Sequence, residues 1–246
     1  MLDNDLLNDD GHDFNFWPSF TDLMLTITII MAALLVVKFG VNASQLKQKQ
    51  ESKAAIITEI KNQLKSKFKE NYRESEESDS TLIISNGTEN IVKITSEIDY
   101  QQISFYEKIL FDKSHYSIKE SGREVLKIVG DAIKLKSDKI KLVQIEGHTD
   151  SNEIKLDNYP KNMGNIVLGS RRAVDVYQFF KDQAGIDPAV LPMSATSFGE
   201  YAPPSRKLDA EYSREALVKA NSNEELKASN RRIELKLFFS SKLTNH

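Results

Sequence analysis

The sequence predicts a single transmembrane α-helix followed by an α/β two-layer sandwich, a mixed sheet with helices on one face. Three observations carry this reading. From Phe14 to Val37 the chain runs 24 residues with Asp22 as its one charged side chain, against about 20 apolar residues needed to cross a hydrocarbon core. Beyond residue 80, short segments of alternating polarity interleave with segments of helical period, as α/β layering requires. With 246 residues, 40% of them hydrophobic, the chain is long enough for that domain to bury a real core.

Taken in order, residues 1–15 form an acidic tail, with five Asp and no Lys or Arg before Phe14. The membrane helix is expected over 16–39. Pro18 suits a first helical turn, and Ser19 and Thr21 can help to cap it. A signal peptide would open on basic residues and carry a shorter apolar stretch with a small-residue cleavage site; neither fits here. Residues 40–80 are rich in Lys, Gln, Glu and Ser and read as a polar, partly helical linker. Ile57, Ile60, Leu64 and Phe68 recur in it at helical spacing, a narrow stripe.

The domain is expected over 81–246. TLIIS and NIVKIT flank an Asn86-Gly87 turn signal and predict a hairpin. EKILFD leads to a helical pattern from Ile118 to Leu135, with Val125, Ile128, Val129, Ala132 and Ile133 on one face. KIKLVQIEG reads as a strand, VLGSRRAVDVYQFFKDQ as an amphipathic helix and LPMSATSFG as a strand. In RRIELKLFF, Ile233, Leu235, Leu237 and Phe239 alternate inward. An inserted segment, 201–229, precedes it, and SNEE at 222–225 fits a capping box at a helix start.

Composition excludes several classes. A net charge of −3 argues against a nucleic-acid binder, which should be basic. With no cysteine, disulfides and thiolate metal sites are ruled out. His148-x-Asp150 is at most half a metal site, with no third ligand at suitable spacing. No G-x-S-x-G and no paired carboxylates mark a hydrolase. Neither an enzyme nor a cofactor is expected.

Asp22 poses its own question. A carboxylate inside a membrane helix costs about 2.5–3.5 kcal/mol at the centre of the span and is a functional candidate by default. In the first turns it would instead be favoured by the helix dipole, and position alone leaves the two readings even. On a helix, Asp22, Thr26, Ile29 and Ala33 share a face, flanked by Thr21, Thr28 and Ala32. That face is small and partly polar, as where helices pack closely in a membrane.

The domain resembles a known family. GHTD at 147–150, N-x-x-L-G-x-x-R-A at 165–173, SFGEYAPP at 197–204 and NRRIEL at 230–235 resemble, in order, the signature of OmpA-like peptidoglycan-binding domains. The resemblance implies binding of the diaminopimelate-bearing wall peptide, whose zwitterionic end needs an anion and a forked cation. Asp150 and Arg172 match the family positions that supply them; a guanidinium grips a carboxylate with two parallel hydrogen bonds. Asn165 and Leu168 match positions that shape the pocket, with Thr149 and Arg232 nearby. Two positions depart from the pattern: Gly169 stands where the family usually has Ser, and Ser197 where it usually has Gly. The stretch SNEIKLDNYPKNMG is longer than usual.

FWPSFTDLMLT at 16–26 is similar to the aromatic-rich stretch of MotB-type stator subunits, whose layout is one membrane helix, a linker and an OmpA-like domain. This resemblance implies a homodimer inside a ring of a multi-helix MotA- or ZorA-like partner, with Asp22 taking up and releasing a proton. It also implies an inner-membrane protein with a cytoplasmic N-terminus and a periplasmic domain. The acidic start and the insertion before NRRIEL look more like ZorB, the wall-anchored subunit of Zorya anti-phage motors, than like flagellar MotB. A passive tether between membrane and wall remains the alternative. Lys38, Lys47, Lys49 and Lys53 follow the span and no Lys or Arg precedes it, which opposes this topology under the positive-inside rule. The four ordered motifs outweigh that bias.

Overall fold

The computed structural model describes residues 17–113, 115–154, 163–206 and 211–240. The acidic tail, Phe16, most of the long stretch between the first two motifs and part of the insertion lie outside the described residues. The chain forms two compact units, Met1–Lys47 and Gln48–His246.

In the first unit, helix α1 (Trp17–Phe68) begins. Its N-terminal part is long and apolar enough to cross a membrane, and its side chains are exposed. Each threonine hydroxyl donates to the carbonyl four residues earlier: Thr21 to Trp17 (2.8 Å), Thr26 to Asp22 (2.9 Å) and Thr28 to Met24 (2.7 Å). With their protons satisfied inside the helix, these hydroxyls cost little in hydrocarbon. They still offer acceptor lone pairs to a neighbour.

The second unit starts with the distal part of α1. The polar-linker reading of residues 40–80 is corrected here: Ile56, Ile60 and Leu64 are fully buried and belong to the domain's core. A three-residue stripe is enough because each such side chain contributes about 1.5–3 kcal/mol when removed from water. Lys53 anchors the same segment, its Nζ donating to the carbonyls of Glu97 (2.5 Å) and Ile98 (3.2 Å).

Among the described residues, seven strands then form one sheet in the order β1-β2-β3-β4-β7-β5-β6. Strands β1 (Arg73–Ser78), β2 (Thr81–Ser85), β3 (Asn90–Ser96) and β4 (Tyr100–Tyr106) make an antiparallel meander. The β2–β3 hairpin turns at Gly87, whose φ of 87° lies in the left-handed region that glycine enters without strain. RESEES, read as linker, is the edge strand β1. It is exposed throughout and held by backbone pairing, with Lys61 on Glu74 (2.5 Å) and Lys93 on Glu77.

Short helix α2 (Glu107–Leu110) and helix α3 (Glu120–Leu135) follow. Strand β5 (Ile140–His148), helix α4 (Gly164–Asp182) and strand β6 (Met193–Gly199) form a parallel crossover. Helices α5 (Arg214–Lys219) and α6 (Glu224–Asn230) occupy the insertion, and β7 (Arg232–Phe239) closes between β4 and β5. The α6 cap is Asn223, accepting from Leu226 N at 2.8 Å, one residue beyond the Ser expected to cap it. The inward set of β7 is as expected, Ile233, Leu235, Leu237 and Phe239 being at most 1% exposed.

Gly169 and Ser197 compensate each other. A Cβ on Gly169 would lie 2.2 Å from the Ser197 hydroxyl, and that hydroxyl donates to Gly147 O at 3.0 Å. The hydroxyl that the resemblance implies on the helix stands here on the strand. Gly169→Ser alone should therefore lose about 1–3 kcal/mol by overpacking. Adding Ser197→Gly should recover part of it, with a coupling of about 0.5–3 kcal/mol in urea unfolding of the chain in detergent. Purely additive losses would contradict this packing.

Candidate functional site

The GHTD segment leaves the end of β5 next to α4, and the two bring most of the expected site residues together. Asn165, Leu168 and Arg172 follow at helical spacing along one side of α4, all at least nine-tenths buried. Asn165 Nδ2 donates to the Asp150 carbonyl at 3.1 Å. Thr149 N donates to Gly199 O at 2.9 Å. The Thr149 hydroxyl and Asn165 Oδ1 are buried and make no hydrogen bond among the described residues. Buried polar atoms without a partner are rare.

Asp150 is held by its own turn, its carboxylate accepting from Asn152 N and Asn152 Nδ2, both at 2.9 Å. The insertion pins this loop from outside: Ser151 N donates to Asn221 Oδ1 at 3.0 Å, and Asn230 Nδ2 donates to the same oxygen at 2.7 Å.

Arg172 is 2% exposed. Its Nε donates to the His115 carbonyl (2.9 Å), its Nη2 to Glu107 Oε1, and its guanidinium lies 5.0 Å from the Phe111 ring centre. Burial pushes the Arg172 pKa down, and the charge of Glu107 partly offsets it. Asp150 and Arg172 are not paired with each other. Between them stand two residues that sequence reasoning missed. Glu107 Oε2 receives Arg231 Nε at 2.9 Å, and Arg231 Nη1 reaches Asp150 Oδ2 at 2.5 Å. Arg231 Nη2 continues to Glu224 at 2.6 Å. Burial works against the Arg231 charge, but hydrogen bonds to Glu224 and Asp150 outweigh it and raise its pKa. A cleft of roughly 350 Å³, lined by Glu107, Phe111, Asp112, Glu224 and Arg231 together with Lys108, Lys113 and Lys119, opens beside this chain of charges.

Arg232 does not join the site, which corrects its expected place beside Asp150. Strand alternation turns it away from Arg231: Nε donates to Glu234 Oε1 (2.6 Å), Nη2 to Ala202 O (3.0 Å). There it meets a second buried cluster. His148 Nε2 lies 3.5 Å from Glu146 and 3.5 Å from Glu234, and its ring stacks on Phe198. These three side chains present ligand atoms within 4.8 Å of one another, a spacing that could hold a metal ion. Arg232 and Lys236, the latter 2.9 Å from Glu146, already balance both carboxylates. A divalent ion would add two uncompensated buried charges, so the cluster is a structural ion network. His148 thus works with Glu146 and Glu234.

The expected membrane residues Asp22, Thr21, Thr26, Thr28 and Ala33 lie in the other unit, on the apolar part of α1. Asp22, Thr26 and Ala33 keep the spacing of one helical face.

Residues 110–216 match the model of the OmpA family. That range contains Thr149, Asp150, Asn165, Leu168 and Arg172, and excludes Glu107, Arg231 and Arg232. No curated protein matches the sequence. Among solved structures, a MotB-like protein from Desulfovibrio vulgaris is 17% identical, with a TM-score of 0.55, covering 83% of this chain and 98% of its own. The cell wall anchor of the type VI secretion system from Pseudomonas aeruginosa is 21% identical (TM-score 0.46, covering 61% of this chain and 88% of its own). The periplasmic domain of Helicobacter pylori MotB is 13% identical (TM-score 0.46, covering 69% and 88%). The fold is thus that of an OmpA-like domain as found in a MotB-like protein.

The ion network gives a pH prediction. Burial pushes the Glu234 carboxyl up, but the charge of Arg232 and the neighbouring imidazole outweigh it and hold the group far below the usual carboxylate range. A depressed folded-state pKa contributes stability above the unfolded value, and that stability is lost as pH falls through the folded one. Melting temperature should therefore drop below about pH 4.5, and Glu234→Gln should flatten that drop while destabilising the domain at pH 7. An unchanged acid limb would contradict the assignment.

Proposed function

We propose that this chain is the wall-anchored subunit of an ion-driven rotary membrane motor, with Asp22 carrying the translocated proton and the C-terminal domain gripping peptidoglycan. One observation carries the reading: a lone carboxylate on an otherwise apolar, membrane-length helix in the same chain as an OmpA-like domain that keeps Asp150 and Arg172. A tether needs only a greasy anchor and has no use for Asp22. Its desolvation penalty disappears on protonation, so one proton switches how the helix packs. Each charge crossing about 100 mV releases about 2.3 kcal/mol, enough to bias two packings a few kcal/mol apart.

In this reading two copies of the chain sit inside a ring of a multi-helix MotA-like partner. The face of Asp22, Thr26 and Ala33, with Thr21 and Thr28 beside it, meets that ring, and the acceptor lone pairs of the back-bonded threonines line the proton's way. The N-terminus is cytoplasmic and the domain periplasmic, where it holds the stator against the wall. Asp150 takes the ammonium of the diaminopimelate peptide and Arg172 its carboxylate; the orphaned Thr149 hydroxyl and Asn165 Oδ1 supply further polar contacts. Leu168 packs beneath. The acidic start and the insertion before NRRIEL favour the ZorB branch, in which the motor serves anti-phage defence, over a flagellar one.

Asp22→Asn should abolish motor-dependent function, phage protection or motility, while membrane insertion and wall binding persist; retained function would reduce the chain to a passive tether. Arg172→Ala in the full chain should lose sedimentation with insoluble peptidoglycan. Unchanged sedimentation would remove the wall-binding assignment.

A further inference from the structure

We infer that the wall-peptide site is self-occupied: Glu107 and Arg231 form an internal stand-in for the zwitterionic ligand, and binding requires both side chains to swing off Arg172 and Asp150. The inference rests on the peptidoglycan reading above and adds how access to that site is controlled.

The geometry is that of a ligand already in place. The site's cation, Arg172, carries a carboxylate, Glu107; the site's anion, Asp150, carries a cation, Arg231 Nη1, at 2.5 Å. The two stand-ins also bind each other at 2.9 Å, so one guanidinium–carboxylate unit spans the site in the ligand's own charge order. Arg172 is 2% exposed, and its Nε is committed to the His115 carbonyl. Its Glu107-bound nitrogen, Nη2, is the donor that an incoming carboxylate would have to take over.

The stand-ins have somewhere to go. Both line the adjoining cleft, roughly 350 Å³ in volume. Arg231 already holds Glu224 through Nη2 at 2.6 Å, and the Glu224 side chain is 74% exposed. Arg231 can therefore leave Asp150 while keeping a partner. Glu107 would turn toward Lys113, which shares that cleft; Lys119, also there, is held on the Lys108 carbonyl. Neither charge is stranded, so the exchange avoids the heavy cost of an unpaired buried ion. The ligand competes with an internal pair, and affinity is set by a difference between two similar sets of contacts.

Glu107→Gln tests this in the full chain in detergent, by calorimetric titration with the tripeptide L-Ala-D-Glu-diaminopimelate. The variant keeps the shape against Arg172 but removes the competing charge. Affinity should rise about tenfold, the size of one charge-assisted hydrogen bond. An unchanged or weaker affinity overturns the proposal. Should Glu107→Gln not fold, Arg231→Gln is judged by the same two outcomes, since it frees Asp150 and unhitches Glu107. The two readings fail separately. Wild-type binding with no gain in the variants sinks the stand-in alone. Absence of binding in wild type and variants alike sinks the wall-peptide reading and the stand-in with it.

Discussion

A buried guanidinium sets the terms for the C-terminal domain. Arg172 is almost without solvent, and losing a partner of such a charge costs about 3–5 kcal/mol. Its surroundings come from four parts of the chain: Glu107 from α2, the His115 carbonyl from the loop after it, Phe111 between them, and α4 itself. Arg231 links that assembly to Asp150 at the end of β5. The sheet order makes the link possible. With β7 between β4 and β5, the start of β7 lies beside both the end of β4, which leads into Glu107, and the end of β5, which leads into Asp150.

The same strand separates two charge systems. Arg231 stands just before β7 and serves the Asp150–Glu107 side, while Arg232 faces Glu234, Glu146 and His148. One system is half open to a cleft and has exchangeable partners. The other is sealed and balanced, and its work is to hold the ends of β5 and β7 in register. The proposed site can be rearranged at modest cost only if its foundation does not move, and the sealed network supplies that foundation.

Much of this was legible in the sequence. Alternation gave β7 and the β2–β3 hairpin, and helical period gave α3 and α4, because each has one face against the core. Strand β1 was not legible. RESEES has no apolar residue, and its place depends on backbone pairing and lysines elsewhere in the chain. The stripe of Ile57, Ile60, Leu64 and Phe68 reads as a linker because so few apolar residues cannot announce what they will pack against; the core fully buries Ile56, Ile60 and Leu64 and only partly buries Ile57 and Phe68. Local motifs single out Asp150 and Arg172 as candidates. Glu107 and Arg231 were missed because their roles arise from contacts 65 and 81 residues apart in the chain. Two adjacent arginines at a strand start also carry no label saying which one turns toward the site.

Access to the site depends on a zwitterionic wall peptide taking over the contacts that Glu107 and Arg231 now make. An experimental structure of the full chain in detergent, bound to the diaminopimelate tripeptide, tests this most directly. The ligand carboxylate should lie within hydrogen-bond distance of Arg172 Nη2 and its ammonium beside Asp150, with Glu107 and Arg231 turned into the neighbouring cleft. A peptide bound elsewhere, with Glu107 still on Arg172 and Arg231 still on Asp150, would contradict it.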